Sequence, residues 1–219
     1  MKRAHRAFNI YQLHGFSCVY HSTLDHLLIQ YSDRIFGHYA LNDFEKVNGE
    51  YGEQRWVSLE NVSYYQPYFI SNYDHVFESW EGQSPILSGN WDRYRSKLNE
   101  TVFYKSLERH FHDGVPWEDT IFIQRRMDEI AEGSGSWGVN TRSELKKKCK
   151  RTEQLYESIK QQGFLAPSEL DQAHDIFVNV SRNGSYIAMG GRHRLVLASL
   201  LDIPKIPVRM SVRHSKYHN

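Results

Sequence analysis

The residues best suited to chemistry lie near the C-terminus, where two glycines precede three basic side chains in the order Gly-Gly-Arg-His-Arg. Glycine permits a sharp turn and a close approach of a ligand to the backbone. A helix that begins there offers unpaired N–H groups and a partial positive charge, and guanidinium groups bind phosphate oxygens. We therefore expect a nucleotide phosphate to bind here. The residues expected to bind it are Gly190, Gly191, Arg192, His193 and Arg194.

Phosphoryl transfer at such a site would also need a divalent cation and a group that positions or deprotonates the nucleophile. Carboxylates supply both roles. Asp92 follows a predicted strand, and Glu118 and Asp119 stand at the predicted start of a helix. We expect these three carboxylates to hold Mg²⁺ or to act in catalysis, with His193 as a further catalytic residue. Helix capping is the alternative role for Glu118 and Asp119.

Other chemistry-bearing residues fit structural roles. The basic run at residues 146–151 is typical of the solvated face of a helix. Cys18 and Cys149 share no motif and are expected to be free thiols. The 12 histidines show neither zinc-finger nor His-Glu-x-x-His spacing. Trp91 and Trp117 could stack on a base or sugar, although single tryptophans are more often core anchors.

Composition limits the classes of partner. The chain has 219 residues with 27 basic and 26 acidic side chains, which gives a net charge of +1. This balance argues against a strongly basic nucleic-acid surface and against a polybasic membrane anchor. The N-terminus lacks the apolar run of a secretory signal, and no segment approaches the roughly 18 apolar residues of a transmembrane helix. We therefore expect a cytoplasmic protein without a membrane partner.

Local patterns predict the elements that position these residues. Asn183 and Gly184 are typical of a tight hairpin turn. Asn140 or Thr141 is expected to cap a long helix, with Glu144 completing a capping box. The predicted helices cover residues 24–31, 93–112, 118–131, 141–162 and 192–201, and the predicted strands cover residues 55–59, 62–65, 85–88, 175–180, 185–189 and 206–210.

Several segments between residues 150 and 212 together form a family pattern. Residues 155–159 and Gly163 give a helix that ends in Glu-Ser-Ile before a glycine. Residues 190–194, the Gly-Gly-Arg-His-Arg segment that we call the phosphate box, follow a hairpin. In this order they resemble the ParB/sulfiredoxin superfamily. The resemblance is specific for the fold rather than for one activity. The closing helix and strand of the pattern are matched by Ala198, Leu200, Leu201 and Ile206-Pro207-Val208.

Three further elements resemble a branch of bacterial and archaeal relatives within that superfamily. They are Gly-Asn-Trp-Asp at residues 89–92, Trp-Glu-Asp-Thr at residues 117–120 and Val-Arg-His at residues 212–214. From this resemblance we expect Arg213 and His214 to reach the nucleotide or the substrate.

The activity that the resemblance implies depends on the residues inside the box. ParB proteins bind and hydrolyse CTP while clamping DNA, sulfiredoxins use a cysteine in the box, and free serine kinases transfer a phosphoryl group. Arg192 stands where sulfiredoxins have the cysteine, and only nine residues follow Met210, which argues against the DNA-binding domain of ParB proteins. The box is closer to the kinase branch, although Met189 and Gly190 replace an acidic residue that often precedes it.

The sequence therefore predicts an α/β (α+β) protein with a small mixed sheet flanked by helices. Residues 85–219 would form the ParB/sulfiredoxin-like domain, and the aromatic-rich residues 1–84 an extension packed on its core. We expect a nucleotide-dependent, kinase-like phosphotransferase that uses ATP or ADP (with CTP as a further candidate) and Mg²⁺, and whose acceptor is a small hydroxyl-bearing or glycan-related molecule. The alternatives are an NTPase, a non-enzymatic nucleotide- or DNA-binding protein, and a partner-binding subunit.

Overall fold

The computed structural model of the protein describes residues 54–66, 86–87, 91–93, 95–133, 137–164 and 176–217. The predicted helix at residues 24–31 lies outside them. The strands are β1 (Gln54–Ser58), β2 (Tyr64–Tyr65), β3 (Ile86–Leu87), β4 (Ser96–Lys97), β5 (Ile176–Val180), β6 (Tyr186–Ala188) and β7 (Lys205–His214). The α-helices are α1 (Val102–Phe111), α2 (Ile121–Ala131), α3 (Arg142–Gln162) and α4 (Arg192–Leu200), with short 3₁₀ helices at Leu59–Asn61, Trp91–Arg93, Leu98–Glu100 and Trp117–Asp119.

The strands form one mixed sheet, and this confirms the predicted α+β class. Six strands follow the order β1-β7-β5-β6-β2-β4, and β3 pairs with the C-terminal end of β7. β7 runs antiparallel to β1 and parallel to β5, while β5 and β6 form an antiparallel hairpin. β2 is parallel to β6 and antiparallel to β4. The sheet thus includes strands from both sides of the boundary expected at residues 84–85.

Both faces of the sheet are covered by apolar clusters, and successive residues of β5 point alternately into one cluster and the other. Ile176, Val178 and Val180 belong to the main core, which also contains buried residues of all four α-helices. Phe177 packs on the opposite face against a smaller cluster. The buried members of this second cluster are Trp91, Ile187, Met189 and Val212.

Helix α4 is the most deeply buried of the four helices. Its residues from Leu195 to Ala198 are all 0% exposed. A helix that is buried on every side in this way is a core element rather than a surface one. The turn that precedes α4 is therefore attached to a buried element of the core and is itself only partly buried.

Capping rules predict several boundaries correctly. Thr141 accepts a hydrogen bond from the backbone of Glu144, whose side chain accepts from Thr141 in return, so the capping box of α3 is confirmed. The helix ends before Gly163, whose φ is 77°. The hairpin turn at Asn183 and Gly184 is confirmed by the antiparallel pairing of β5 with β6.

Three predicted elements differ in the structure. The helix expected at residues 93–112 begins only at Val102, because Thr101 caps it by accepting from the N–H of Tyr104. The helix expected at residues 118–131 begins at Ile121, after the 3₁₀ turn of Trp117–Asp119. The strand expected at residues 206–210 is longer and runs from Lys205 to His214 as β7. The strands expected at residues 55–59 and 62–65 are present as β1 and β2, joined by a 3₁₀ turn. Among the described residues, no helix is long and apolar enough to cross a membrane.

Candidate functional site

The Gly-Gly turn places one glycine in the left-handed region and the other in close contact with the sheet. Gly191 is the N-cap of α4 with φ 67° and ψ 23°, in the left-handed region. A Cβ added to Gly190 would lie 3.2 Å from Cδ2 of Phe177, which is tighter than an ordinary contact. The carbonyl of Gly191 accepts the first hydrogen bond of α4, from the N–H of Leu195 at 3.0 Å. The turn therefore brings the backbone close to the sheet and starts the helix at Arg192.

Replacing Gly191 with alanine is expected to cost about 1–2 kcal/mol of unfolding free energy, because a Cβ is strained in the left-handed region. Urea denaturation at pH 7 measures it. Gly191→Asn is the matched variant, since asparagine tolerates this conformation better, and we expect a smaller loss. An alanine variant as stable as the asparagine variant would contradict the left-handed turn.

Two cations lie together at the start of α4. Arg192 places its guanidinium 4.1 Å from the centre of the Phe103 ring, and Lys148 of α3 lies near enough to Arg192 for the two charges to interact. Burial, Arg192 and Arg151 all lower the pKa of Lys148. In the described part of the chain, neither Arg192 nor Lys148 forms an ion pair with a carboxylate. The site therefore carries uncompensated positive charge beside the positive end of a helix.

His193 and Trp137 form the aromatic wall of this site. Their rings are stacked with centroids 5.2 Å apart, and Phe103 meets His193 edge-on. Lys148 donates to the carbonyl of Trp137 and lies 4.5 Å from the centre of its ring. Nε2 of His193 is buried without a hydrogen-bond partner, and burial together with Arg192 and Lys148 lowers the pKa of this histidine to about 3. The imidazole is therefore neutral at physiological pH.

Arg194 does not share the surface of the turn with its neighbours. It is 5% exposed, and its guanidinium lies 4.4 Å from the centre of the Phe164 ring. Successive helical residues point about 100° apart, so Arg194 faces the core while Arg192 faces Phe103. Of the three basic side chains expected to bind the phosphate, Arg192 and His193 lie at the turn, whereas Arg194 points into the protein.

Asp92 lies at the other end of the sheet. Its carboxylate accepts from Nε of Arg182 at 2.8 Å, from Nη2 at 2.6 Å and from the backbone N–H at 3.1 Å. Arg182 belongs to the β5–β6 hairpin, whereas Gly190 follows the opposite end of β6. Five residues separate Ser185 from Gly190, which at strand rise is roughly 17 Å. Asp92 is therefore held in a structural ion pair away from the phosphate box.

His214 and Arg213 also lie at the hairpin end. His214 is 1% exposed, and its Nδ1 accepts from the N–H of Lys216 at 3.0 Å. This places the ring proton on Nε2, which is 3.9 Å from Oδ1 of Asp92. The β5 residue that pairs with Arg213 is Val180, at the hairpin. The structure thus groups His214 with Asp92 and not with the Gly-Gly turn.

Glu118 and Asp119 lie in the exposed 3₁₀ turn before α2. Glu118 is close enough to Cys149 of α3 that, after burial and Glu153, it helps to raise the pKa of that thiol to about 11. Cys149 belongs to the main core, whereas Trp91, next to Asp92, packs on the opposite face of the sheet. The three carboxylates expected to hold Mg²⁺ therefore do not form one site.

The chemistry of the carboxylates gives the same result. Both carboxylate oxygens of Asp92 already accept hydrogen bonds from Arg182. Among the described residues, no group of three His, Cys, Asp or Glu side chains is arranged to hold a metal ion. The residues expected to bind Mg²⁺ do not fit that ion here, and no catalytic step is derived through it.

Sequence reasoning missed Lys148 and Trp137. Lys148 belongs to the basic run expected to be a solvated face, but it lies three residues after buried Leu145 and four before buried Thr152. Residues with this spacing share one face of a helix. The spacing of the apolar residues on α3 therefore separates Lys148 from its exposed neighbours Lys146 and Lys147.

Comparisons with known proteins add no family assignment. No family model matches the chain, and searches of curated proteins and of solved structures find no match. The geometry of the turn and of the side chains around it is therefore the basis for assigning a function.

Proposed function

We propose that this protein binds a nucleotide through its phosphates at the start of α4. The observation that carries the proposal is the uncompensated positive charge of Arg192 and Lys148 beside the Gly-Gly turn. Burial, followed by the charges of Arg192 and Arg151, lowers the pKa of Lys148, so a positive charge at this position is unfavourable. A bound polyphosphate would offset this cost, because its negative charges attract Arg192 and Lys148.

The aromatic wall supports the same ligand class. His193 and Trp137 stack on each other, and the imidazole is neutral. A neutral imidazole with a buried, unpartnered Nε2 has hydrogen-bonding capacity that the protein itself leaves unused. The amides in the first turn of α4 add donors and the positive helix end. Together these groups favour an anion with several oxygens.

We further propose, from the resemblance to the kinase branch, that the nucleotide is ATP or ADP and donates a phosphoryl group to a small hydroxyl-bearing acceptor. Arg192 and Lys148 would neutralise charge on the phosphates, which is the main electrostatic requirement of this reaction. Asp92 is excluded as the base because it is paired with Arg182. The proposed role of the box is thus to bind and orient the donor.

Calorimetry and thermal shift with ATP, ADP, CTP and inorganic tripolyphosphate, each with and without Mg²⁺, test the binding. We expect Lys148→Gln to weaken binding about tenfold, because it removes one charge-assisted contact. Lys146→Gln is the matched control, since Lys146 lies on the same helix but is exposed. The affinity should fall as salt is raised.

Two results would overturn the proposal. The first is that neither tripolyphosphate nor any nucleotide binds the wild-type protein. The second is an equal loss in Lys148→Gln and Lys146→Gln, which would place the anion elsewhere on the basic helix. Binding of tripolyphosphate but of no nucleotide would retain the phosphate site and reject the nucleotide.

A further inference from the structure

A cavity lined by both polar and apolar side chains lies at the opposite end of α4. It has a volume of about 590 Å³, within the range of small-ligand sites. Ser199 and Asp202 at the end of the helix contribute to its lining, as do Glu60, Tyr104 and the buried Leu98. Since α4 has nine residues, this cavity is separated from the Gly-Gly turn by about 13 Å.

Asp202 is an unfavourable residue for its position. Helix α4 ends in a Schellman motif, with the N–H of Asp202 bonded to the carbonyl of Ser199 and that of Ile203 bonded to Ala198. Asp202 has φ 51° in this motif, where glycine or asparagine is usual. Its negative charge also stands at the negative end of the helix. Aspartate tolerates the left-handed region, so the unfavourable feature is its charge at this helix end, and this charge lies on a side chain that lines the cavity.

The charges of the cavity identify the kind of ligand. Within the described residues, neither Glu60 nor Asp202 is paired with a basic side chain. Lys97, which also lines the cavity, forms an ion pair with Glu100 at 3.1 Å. Two carboxylates and a helix C-terminus therefore face the cavity with an excess of negative charge. A phosphate would be repelled, whereas a cation would be attracted.

The oxygen atoms around the cavity favour an ammonium group over other cations. An ammonium donates three hydrogen bonds. The lining offers acceptors on the carboxylate of Asp202 and on that of Glu60, whose Oε1 also accepts from Ser58. The hydroxyls of Tyr104 and Ser199, hydrogen-bonded to each other at 3.4 Å, have further acceptor capacity. A calcium ion usually takes six to eight oxygens and commonly more carboxylate charge.

We propose that this cavity binds a small organic molecule through a primary ammonium group, with Asp202 as its main charged partner. The site is separate from the proposed phosphate site and opposite to it in charge. The two proposals can therefore fail independently.

Paired probes test the proposal on the full chain. Calorimetry compares 1,4-diaminobutane with 1,4-butanediol, and glucosamine with glucose, so that each pair differs in its ammonium groups. We expect saturable binding of the amines and none of the neutral partners. Asp202→Asn should weaken amine binding at least tenfold, while Lys148→Gln should leave it unchanged.

The thermal stability of the ligand-free Asp202→Asn variant provides a second measurement, which distinguishes a loss of binding from a folding defect. Asparagine suits the left-handed position and removes charge from the negative helix end, so we expect the ligand-free protein to gain about 1–4 °C in Tm. Glu132→Gln is the matched control, because Glu132 is the C-cap of α2 and lies outside the cavity lining. It should leave amine binding unchanged.

Several results would overturn the proposal. They are equal binding of amines and neutral partners, no binding of either, and amine binding that survives Asp202→Asn. Binding of Ca²⁺ without binding of amines would also overturn it and would assign the cavity to a metal ion.

Discussion

Replacing Asp92 with asparagine is expected to lower the free energy of unfolding by about 3 kcal/mol. Asp92 is 4% exposed and accepts three hydrogen bonds from Arg182. Removing one partner of a buried ion pair typically costs about 3–5 kcal/mol, because the other charge stays behind. We expect the lower end of this range, since the Arg182 side chain is 24% exposed and water can reach it.

The effect of Asp92→Asn should depend on pH. Burial raises the pKa of Asp92, but the hydrogen bonds and the charge of Arg182 outweigh it, so the pKa lies below its usual value. A carboxyl with a depressed pKa stabilises the fold above its unfolded-state pKa, about 3.9, and the contribution is lost as pH falls through the folded-state value. The difference between wild type and variant should therefore be full at pH 7 and shrink below about pH 4.

Denaturation with urea or guanidinium measures this difference, and an exposed ion pair is its control. Lys97 and Glu100 lie 3.1 Å apart, with side chains 60% and 61% exposed. Glu100→Gln should change stability by less than about 1 kcal/mol, because exposed pairs contribute little. If Asp92→Asn costs no more than Glu100→Gln, the structural role given to Asp92 is wrong.

The elements that sequence predicts well are those set by local chemistry. The capping box of α3 needs only Thr141 and Glu144, which lie three residues apart. The β5–β6 hairpin follows from Asn183 and Gly184, and the start of α4 from its Gly-Gly turn. In each case the residues that decide the conformation are neighbours in the chain, so the signal is complete within a short window.

The role of Asp92 could not be predicted in this way. Its partner Arg182 is 90 residues away, and the contact exists only because β5 and β6 present the hairpin to the 3₁₀ turn of Trp91–Arg93. A carboxylate that follows a strand is compatible with a catalytic role or with an ion pair. Only the tertiary structure decides between them.

The prediction for Lys148 was wrong in the opposite direction, because a residue expected on a solvated face lies at the candidate site. The basic run around it suggested a solvated face, but charge density along a helix does not record which side packs inward. The buried positions Leu145, Cys149 and Thr152 define that side, and Lys148 lies on it. The spacing of the buried residues along α3 distinguishes this lysine from the other basic residues around it.

Lowering the pH from 7 to 5 is expected to remove about 2 kcal/mol of stability through His193. Burial, followed by Arg192 and Lys148, lowers the pKa of this histidine to about 3, against about 6.5 in the unfolded chain. Well above pH 6.5 the histidine is neutral in both states and has no effect on the pH dependence. Between pH 6.5 and 3 the unfolded state binds the proton first, so stability falls by up to about 1.4 kcal/mol per pH unit.

Urea denaturation of wild type and His193→Gln at pH 7, 6 and 5 isolates this contribution, because the range lies above the usual titration of carboxyl groups. The variant should lose most of the slope, even if it is less stable at pH 7. Exposed His112 provides the control, and His112→Gln should keep the wild-type slope. Equal slopes in wild type and His193→Gln would show that the imidazole is not held neutral.

The same titration connects stability with the proposed phosphate site. Part of the pKa shift of His193 comes from the charges of Arg192 and Lys148, which a bound polyphosphate would offset. Saturating tripolyphosphate should therefore raise the pKa of His193 and make the slope between pH 6.5 and 5 shallower. A polyphosphate that binds elsewhere would stabilise the protein without changing the slope assigned to His193, and this difference locates the anion relative to the imidazole.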